Sequence, residues 1–159
     1  MSIEKYDSEV KVIASSQESV YNHLSNLRNL EPLFDGNRLE ELKKQYPNTP
    51  DVKLDNFSAT EDECSFSISL IGQVGVEIIE REPSKLIKLA GSKALPFEVH
   101  CWIQILPLAE NTCKIKITLH AELNQMIKMI IGKHLKSGVD QIAEALTRIN
   151  YPEEPLSIQ

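Results

Sequence analysis

The chain has 159 residues, of which 42% are hydrophobic and 25% charged, and its formal net charge at pH 7 is −6. That length suits one domain with a core of its own, spanning 1–159 with 150–159 as a C-terminal tail, and the composition is globular rather than disordered. The acidic balance repels phosphate backbones and excludes nucleic acid as a main partner.

The three cysteines, Cys64, Cys101 and Cys113, match neither a zinc ribbon nor a redox pair. Each sits among alternating apolar residues, where free cysteine behaves as a small hydrophobe. A reducing compartment fits this pattern. Met1 to Val10 lacks the apolar core of a signal peptide, and no run approaches the roughly 20 apolar residues of a bilayer span. The expectation is a cytoplasmic protein without stable membrane insertion.

In chain order, residues 3–14 read as a strand with Tyr6, Ser8, Val10 and Val12 on one face and Asp7, Glu9 and Lys11 on the other. Ser15 and Glu18 fit a capping box for a short helix carrying Val20, Leu24 and Leu27. A second short helical stretch holds Leu30, Leu33 and Phe34 and should break at Asp35-Gly36-Asn37. Helix should resume from Arg38 to Tyr46, with Glu40 and Lys44 one turn apart, until Pro47, Asn48 and Pro50 stop it.

From Val52 the period becomes two. Strands are predicted at 52–60, 63–70, 74–82, 85–90, 97–108 and 112–123, with turns at Glu61-Asp62, Gly72-Gln73, Pro83-Ser84 and Gly91-Ser92. Such short connections imply antiparallel hairpins. In the last two strands, Phe97, Val99, Cys101, Ile103 and Ile105 must share a face with Cys113, Ile115, Ile117, Leu119, Ala121 and Leu123, because a slip of one residue would turn every side chain over. A loop of Ala109, Glu110 and Asn111 sets Ile103 opposite Ile117, Cys101 opposite Leu119, Trp102 opposite Thr118 and His100 opposite His120.

Asn124 can cap a long helix ending near Ile149, with an apolar stripe of Ile127, Ile130, Ile131, Leu135, Val139, Ile142, Leu146 and Ile149. Lys128, Lys133 and Lys136 read as its solvated face. Gly132 and Gly138 each cost about 1 kcal/mol against alanine in a helix. A close approach of helix to sheet explains them more simply than a bend that widens a cavity.

Val10-Lys11-Val12-Ile13-Ala14-Ser15 running into Val20-Tyr21-Asn22-His23-Leu24-Ser25, the hairpin Glu80-Arg81-Glu82-Pro83-Ser84-Lys85, and Leu119 to Gln125 passing into Leu135 and Leu146 together resemble the SRPBCC superfamily. That group includes the START lipid-binding domains and the polyketide cyclase-like proteins. The resemblance covers residues 3 to about 149 and departs at Gln125, where many relatives carry proline, which only pre-sets a helical angle. It implies an α+β helix-grip fold, a curved antiparallel sheet of about seven strands wrapped around the long C-terminal helix, with two short helices after the first strand. Functions across the superfamily run from lipid binding to cyclisation, so the fold alone does not choose among them.

Gly72-Gln73-Val74-Gly75 and Gly132-Lys133-His134 lack the spacing of a phosphate loop, and no nucleophile elbow is present. The predicted inward face carries no catalytic set and calls for no cofactor. It is apolar, and Tyr6, Ser8, Phe57, Phe66, Ile68, Phe97, Val99, Cys101, Leu119, Met126, Met129 and Ile130 are the residues expected to line a cavity against the helix. Such a lining suits a small hydrophobic molecule. Tyr6 and Ser8 could orient the ligand's polar end or be satisfied by neighbouring backbone. His100 and His120, flanked by Glu98 and Glu122, are the candidate metal ligands against the simpler reading of a plain strand pair. Two other functions compete with ligand binding. A cyclase-type enzyme would need groups such as Asp55 or Asn56 to enter the cavity. An interaction module would use the outer sheet face around Trp102 and Leu106.

Overall fold

The computed structural model describes residues 2–34, 54–68, 72–91, 97–149 and 151, apart from a few side chains within them. The third helix predicted at Arg38 to Tyr46 and its flanking turns lie outside these residues.

Among the described residues, eight strands form one antiparallel sheet: β1 (Ser2–Asp7), β2 (Lys11–Ile13), β3 (Leu54–Ala59), β4 (Glu63–Ile68), β5 (Gly72–Glu82), β6 (Leu86–Gly91), β7 (Val99–Ala109) and β8 (Thr112–Leu123). The order across the sheet is β1-β8-β7-β6-β5-β4-β3, and β2 also pairs with β8. Helix α1 (Gln17–Leu24) and a 3₁₀ helix (Leu27–Phe34) follow β2, and the long helix α2 (Gln125–Thr147) follows β8.

The count exceeds the expected seven because the first predicted strand is two. Ser8 divides it: its N–H donates to the Ile117 carbonyl at 2.8 Å, and its Oγ accepts from the Ile117 N–H at 2.9 Å. A side-chain acceptor thus replaces a ladder carbonyl. Beyond this break the alternation changes face, so Ile13 is buried while Val10 and Val12, expected inward, are exposed.

Helix α1 starts one residue later than the predicted capping box. Ser16 is its N-cap, accepting from the Ser19 N–H at 3.1 Å. Its inner residues Val20, Tyr21 and Leu24 are buried. The β7–β8 register is the one predicted, with Ile103 opposite Ile117, Cys101 opposite Leu119, Trp102 opposite Thr118 and His100 opposite His120. The connection differs: pairing runs on to Ala109 and Thr112 with an irregularity after Pro107, so the loop is tighter than three residues and Leu108 is the extra residue. The turn expected at Gly72-Gln73 is likewise strand, Gly72 pairing with Ile68 at φ +99.

Asn124 caps α2 as predicted, its side chain accepting from the Ile127 N–H at 2.8 Å. The helix packs against β8, β1 and β2, while the 3₁₀ helix packs against β3 and β4. One buried cluster joins Ile13, Val20, Leu24, Ile87, Ile105, Ile115, Val139 and Leu146. A second, smaller one holds Ala121 and Leu123 with Phe97, Val99, Ile127 and Leu135 packed on it. Tyr151, placed by sequence in the tail, is buried; its hydroxyl donates to the Leu146 carbonyl at 2.6 Å, and its ring meets His23 edge-on at 5.2 Å.

Candidate site: a half-buried apolar sheet face

Cross-strand pairing assembles the inner face row by row. Tyr6 on β1 lies opposite Leu119, which lies opposite Cys101, then Leu89, then Ile78. In the adjacent row Glu4 lies opposite Ala121 and Ala121 opposite Val99.

Burial along these rows is uneven. Toward the β7–β8 turn, Ile105, Ile115 and Cys113 are sealed beneath α1 and the end of α2. Toward the other end of the same strands, Val99, Cys101 and Leu119 are only half-buried, and so are Val76 and Ile78. These apolar side chains border the core on one side and keep accessible surface on the other. Burial pushes the pKa of the Cys101 thiol up to about 12.

The residues expected to line a cavity divide into three sets. Tyr6, Phe97, Val99, Cys101 and Leu119 come together on the inner face beside the two buried clusters. Phe57 and Phe66 stack at 6.3 Å near the far edge, half-buried; Ile68 is paired in β4, but its side chain lies outside the described residues. Met126, Met129 and Ile130, expected to face these phenylalanines across the sheet, are exposed instead at 72%, 76% and 50%. Helix α2 leans on the β8–β1–β2 side, which turns its first two turns partly to solvent. Ile142 of the predicted stripe is exposed as well. Ser8 spends its hydroxyl on the backbone, donating to the Glu9 carbonyl at 2.9 Å as well as accepting from Ile117.

Sequence reasoning passed over Glu4 and Lys128. Glu4 is two residues from Tyr6 and shares its face, a period-two signal that was there to be read. Lys128, taken as part of a solvated face, forms an ion pair with Glu4 across the β1–α2 junction. Lys136 likewise pairs with Asp140 at 3.5 Å and donates to the Asp7 carbonyl. Asn56, considered as a group that could enter the cavity, is exposed at a β3 irregularity with φ 58. The Asp55 side chain lies outside the described residues.

On the outer face His100 and His120 sit opposite each other as expected. The Trp102 ring packs 4.5 Å from His120, and the Lys88 ammonium lies 5.1 Å from the Trp102 ring centre. Among the described residues no group of three or more His, Cys, Asp or Glu side chains is arranged to hold a metal ion. Among them, too, no helix is long and apolar enough to cross a membrane.

No protein-family model matches the chain, and no curated protein matches it in sequence. Solved structures match it in shape. Truncated norcoclaurine synthase from Thalictrum flavum superposes with a TM-score of 0.60 at 11% identity, over 92% of this chain and 92% of that one. The same synthase has been solved in complex with dopamine and hydroxybenzaldehyde. A START superfamily protein from Mycobacterium smegmatis matches with a TM-score of 0.50 at 14% identity, over 91% and 94% of the two chains. A conserved protein from Geobacillus kaustophilus gives 0.54 at 13%, over 91% and 93%. Identities this low carry the fold alone, and the chain accordingly has the α+β helix-grip fold seen in START-type proteins and in norcoclaurine synthase.

Proposed function

We propose that this protein binds a small hydrophobic molecule in the concavity between the inner sheet face and α2. The observation that carries the reading is the uneven burial along β7 and β8: Ile105 and Ile115 are sealed, whereas Val99, Cys101 and Leu119 on the same face are half-open. Half-exposed apolar surface next to a core costs free energy of about 25 cal/mol for each Å² that a ligand could cover. An apolar occupant recovers that energy. The synthase of similar fold, solved with two small aromatic molecules, supports small-molecule binding as a use of this architecture. Three free cysteines fit a reducing compartment such as the cytoplasm.

Native mass spectrometry after gentle extraction should find the chain carrying a small molecule, and the stripped protein should take up an apolar dye such as Nile red. Leu119→Asp, which places a charge in the concavity, should abolish dye uptake while the fold survives. A bare chain that also ignores the dye overturns the reading.

A further inference from the structure

Where β1 meets α2, three polar side chains of different chemistry come together at the rim of the concavity. The Glu4 Oε1 atom is buried, and its charge is met by the Lys128 ammonium in an ion pair. Tyr6 stands two residues along the same face. Burial raises the pKa of its hydroxyl, and Glu4 raises it further against the opposing pull of Lys128, so the phenol stays protonated and within electrostatic reach of both. Its oxygen approaches α2 at Gly132, 3.6 Å from where a β-carbon would stand. Through the ladder, Tyr6 and Glu4 head the two rows containing Leu119, Cys101, Ala121 and Val99.

We infer that Glu4, Tyr6 and Lys128 form the polar end of the concavity, and that the molecule bound there is uncharged, largely apolar, and carries a hydroxyl group. This rests on the ligand-binding reading above and names the ligand class. A phenol offers one donor, and a carboxylate keeps acceptor positions beyond those facing its ion-pair partner. A hydroxyl answers both, accepting from Tyr6 and donating to Glu4. The charges of Glu4 and Lys128 cancel, so a carboxylate ligand would meet Glu4 and an ammonium ligand would meet Lys128. Either would set a like charge beside one member of the pair, and Glu4, the more buried member, is screened least by water.

Displacement of Nile red by three ten-carbon probes tests the assignment: 1-decanol, decanoate and decyltrimethylammonium. Decanol should bind about tenfold more tightly than either ion, the usual worth of one well-formed hydrogen bond to a charged group. Tyr6→Phe, which keeps the ring and its packing, should remove most of that advantage, read as the ratio of decanol affinity to the affinity of either ion in the same variant. Glu4→Gln leaves the Lys128 charge uncancelled, so decanoate should overtake decanol. A purely structural role for Glu4 would not reverse that preference. Nile red binding without a preference for the alcohol, or a preference that survives Tyr6→Phe, overturns this inference alone. Failure of every probe, Nile red included, removes the ligand-binding reading and this one with it.

Discussion

The Tyr6 hydroxyl lies 3.6 Å from the position a β-carbon on Gly132 would take, and the Lys128 Cγ lies 3.3 Å from that same point. At Gly132, then, α2 lies in van der Waals reach of the Tyr6 side chain of β1. Gly138, six residues on in the same helix, has nothing within 4 Å of its would-be β-carbon. The sequence offers the same rationale for both glycines, and the structure supports it for one.

Gly138→Ala should stabilise the protein by about 0.5–1 kcal/mol, through helix propensity and a less flexible unfolded chain. Gly132→Ala should gain less, because the Lys128 side chain must give way by a few tenths of an ångström, and its pairing with Glu4 resists. Urea midpoints of the two variants check this; an equal gain at both positions would refute the close-approach account.

The difference between those glycines shows what the sequence could carry. Apolar alternation fixed the β7–β8 register, because Cys113, Ile115 and Ile117 have to meet Ile103 and Ile105 across the ladder. It misread the first strand, where the Ser8 hydroxyl bonds the Ile117 backbone and reverses the faces of Val10 and Val12. Hydrophobic period has no term for such a bond. The helical stripe was right about Val139 and Leu146 and too generous at Ile130 and Ile142. A helix pattern tells which residues share a face but not how far along the helix the sheet continues beneath it. The rim of the site was missed because Lys128 looks like a surface lysine until β1 supplies Glu4.

Truncations along the inner face should separate sealed core from open concavity. Ile105→Ala, at 0% exposure, should cost about 2–5 kcal/mol, as do other large-to-small changes in closed cores. Leu119→Ala, half-buried on the same face, should cost clearly less in the ligand-free protein, since part of its surface already meets solvent. Added apolar ligand should then stabilise the native chain more than the Leu119 variant. Equal losses in chemical denaturation would mean that the centre is solidly filled.

The cysteines should be slow nucleophiles. Burial pushes the Cys64 thiol to about 11 and the Cys101 thiol to about 12, and raises that of Cys113 as well. Only the thiolate attacks, so at pH 8 about one Cys64 in a thousand is reactive at any moment. Iodoacetamide should leave the native mass nearly unchanged over an hour and add three groups in urea. An apolar ligand should slow labelling of Cys101 further, since that thiol shares the concavity. Cys101 labelling at the rate of a free thiol would contradict the environment described for it.

His23 makes stability depend on acidity in a definite direction. Burial lowers its pKa below the ordinary 6.5, and its ring is held edge-on against Tyr151. Above that ordinary value both folded and unfolded chains carry it neutral, and its contribution to stability is fully present. As pH falls below 6.5 the unfolded chain takes up the proton first, so stability declines until the folded value is passed. His120 on the outer face is also lowered, by burial first and then by Lys5, but its ring is less buried than that of His23. Comparing urea midpoints at about pH 7.5 and about pH 5.5 should therefore show a loss for the native chain that shrinks in His23→Gln and persists in His120→Gln. An undiminished acid loss in His23→Gln would assign the dependence to other groups, and would mean that the His23–Tyr151 contact tolerates a charged imidazole.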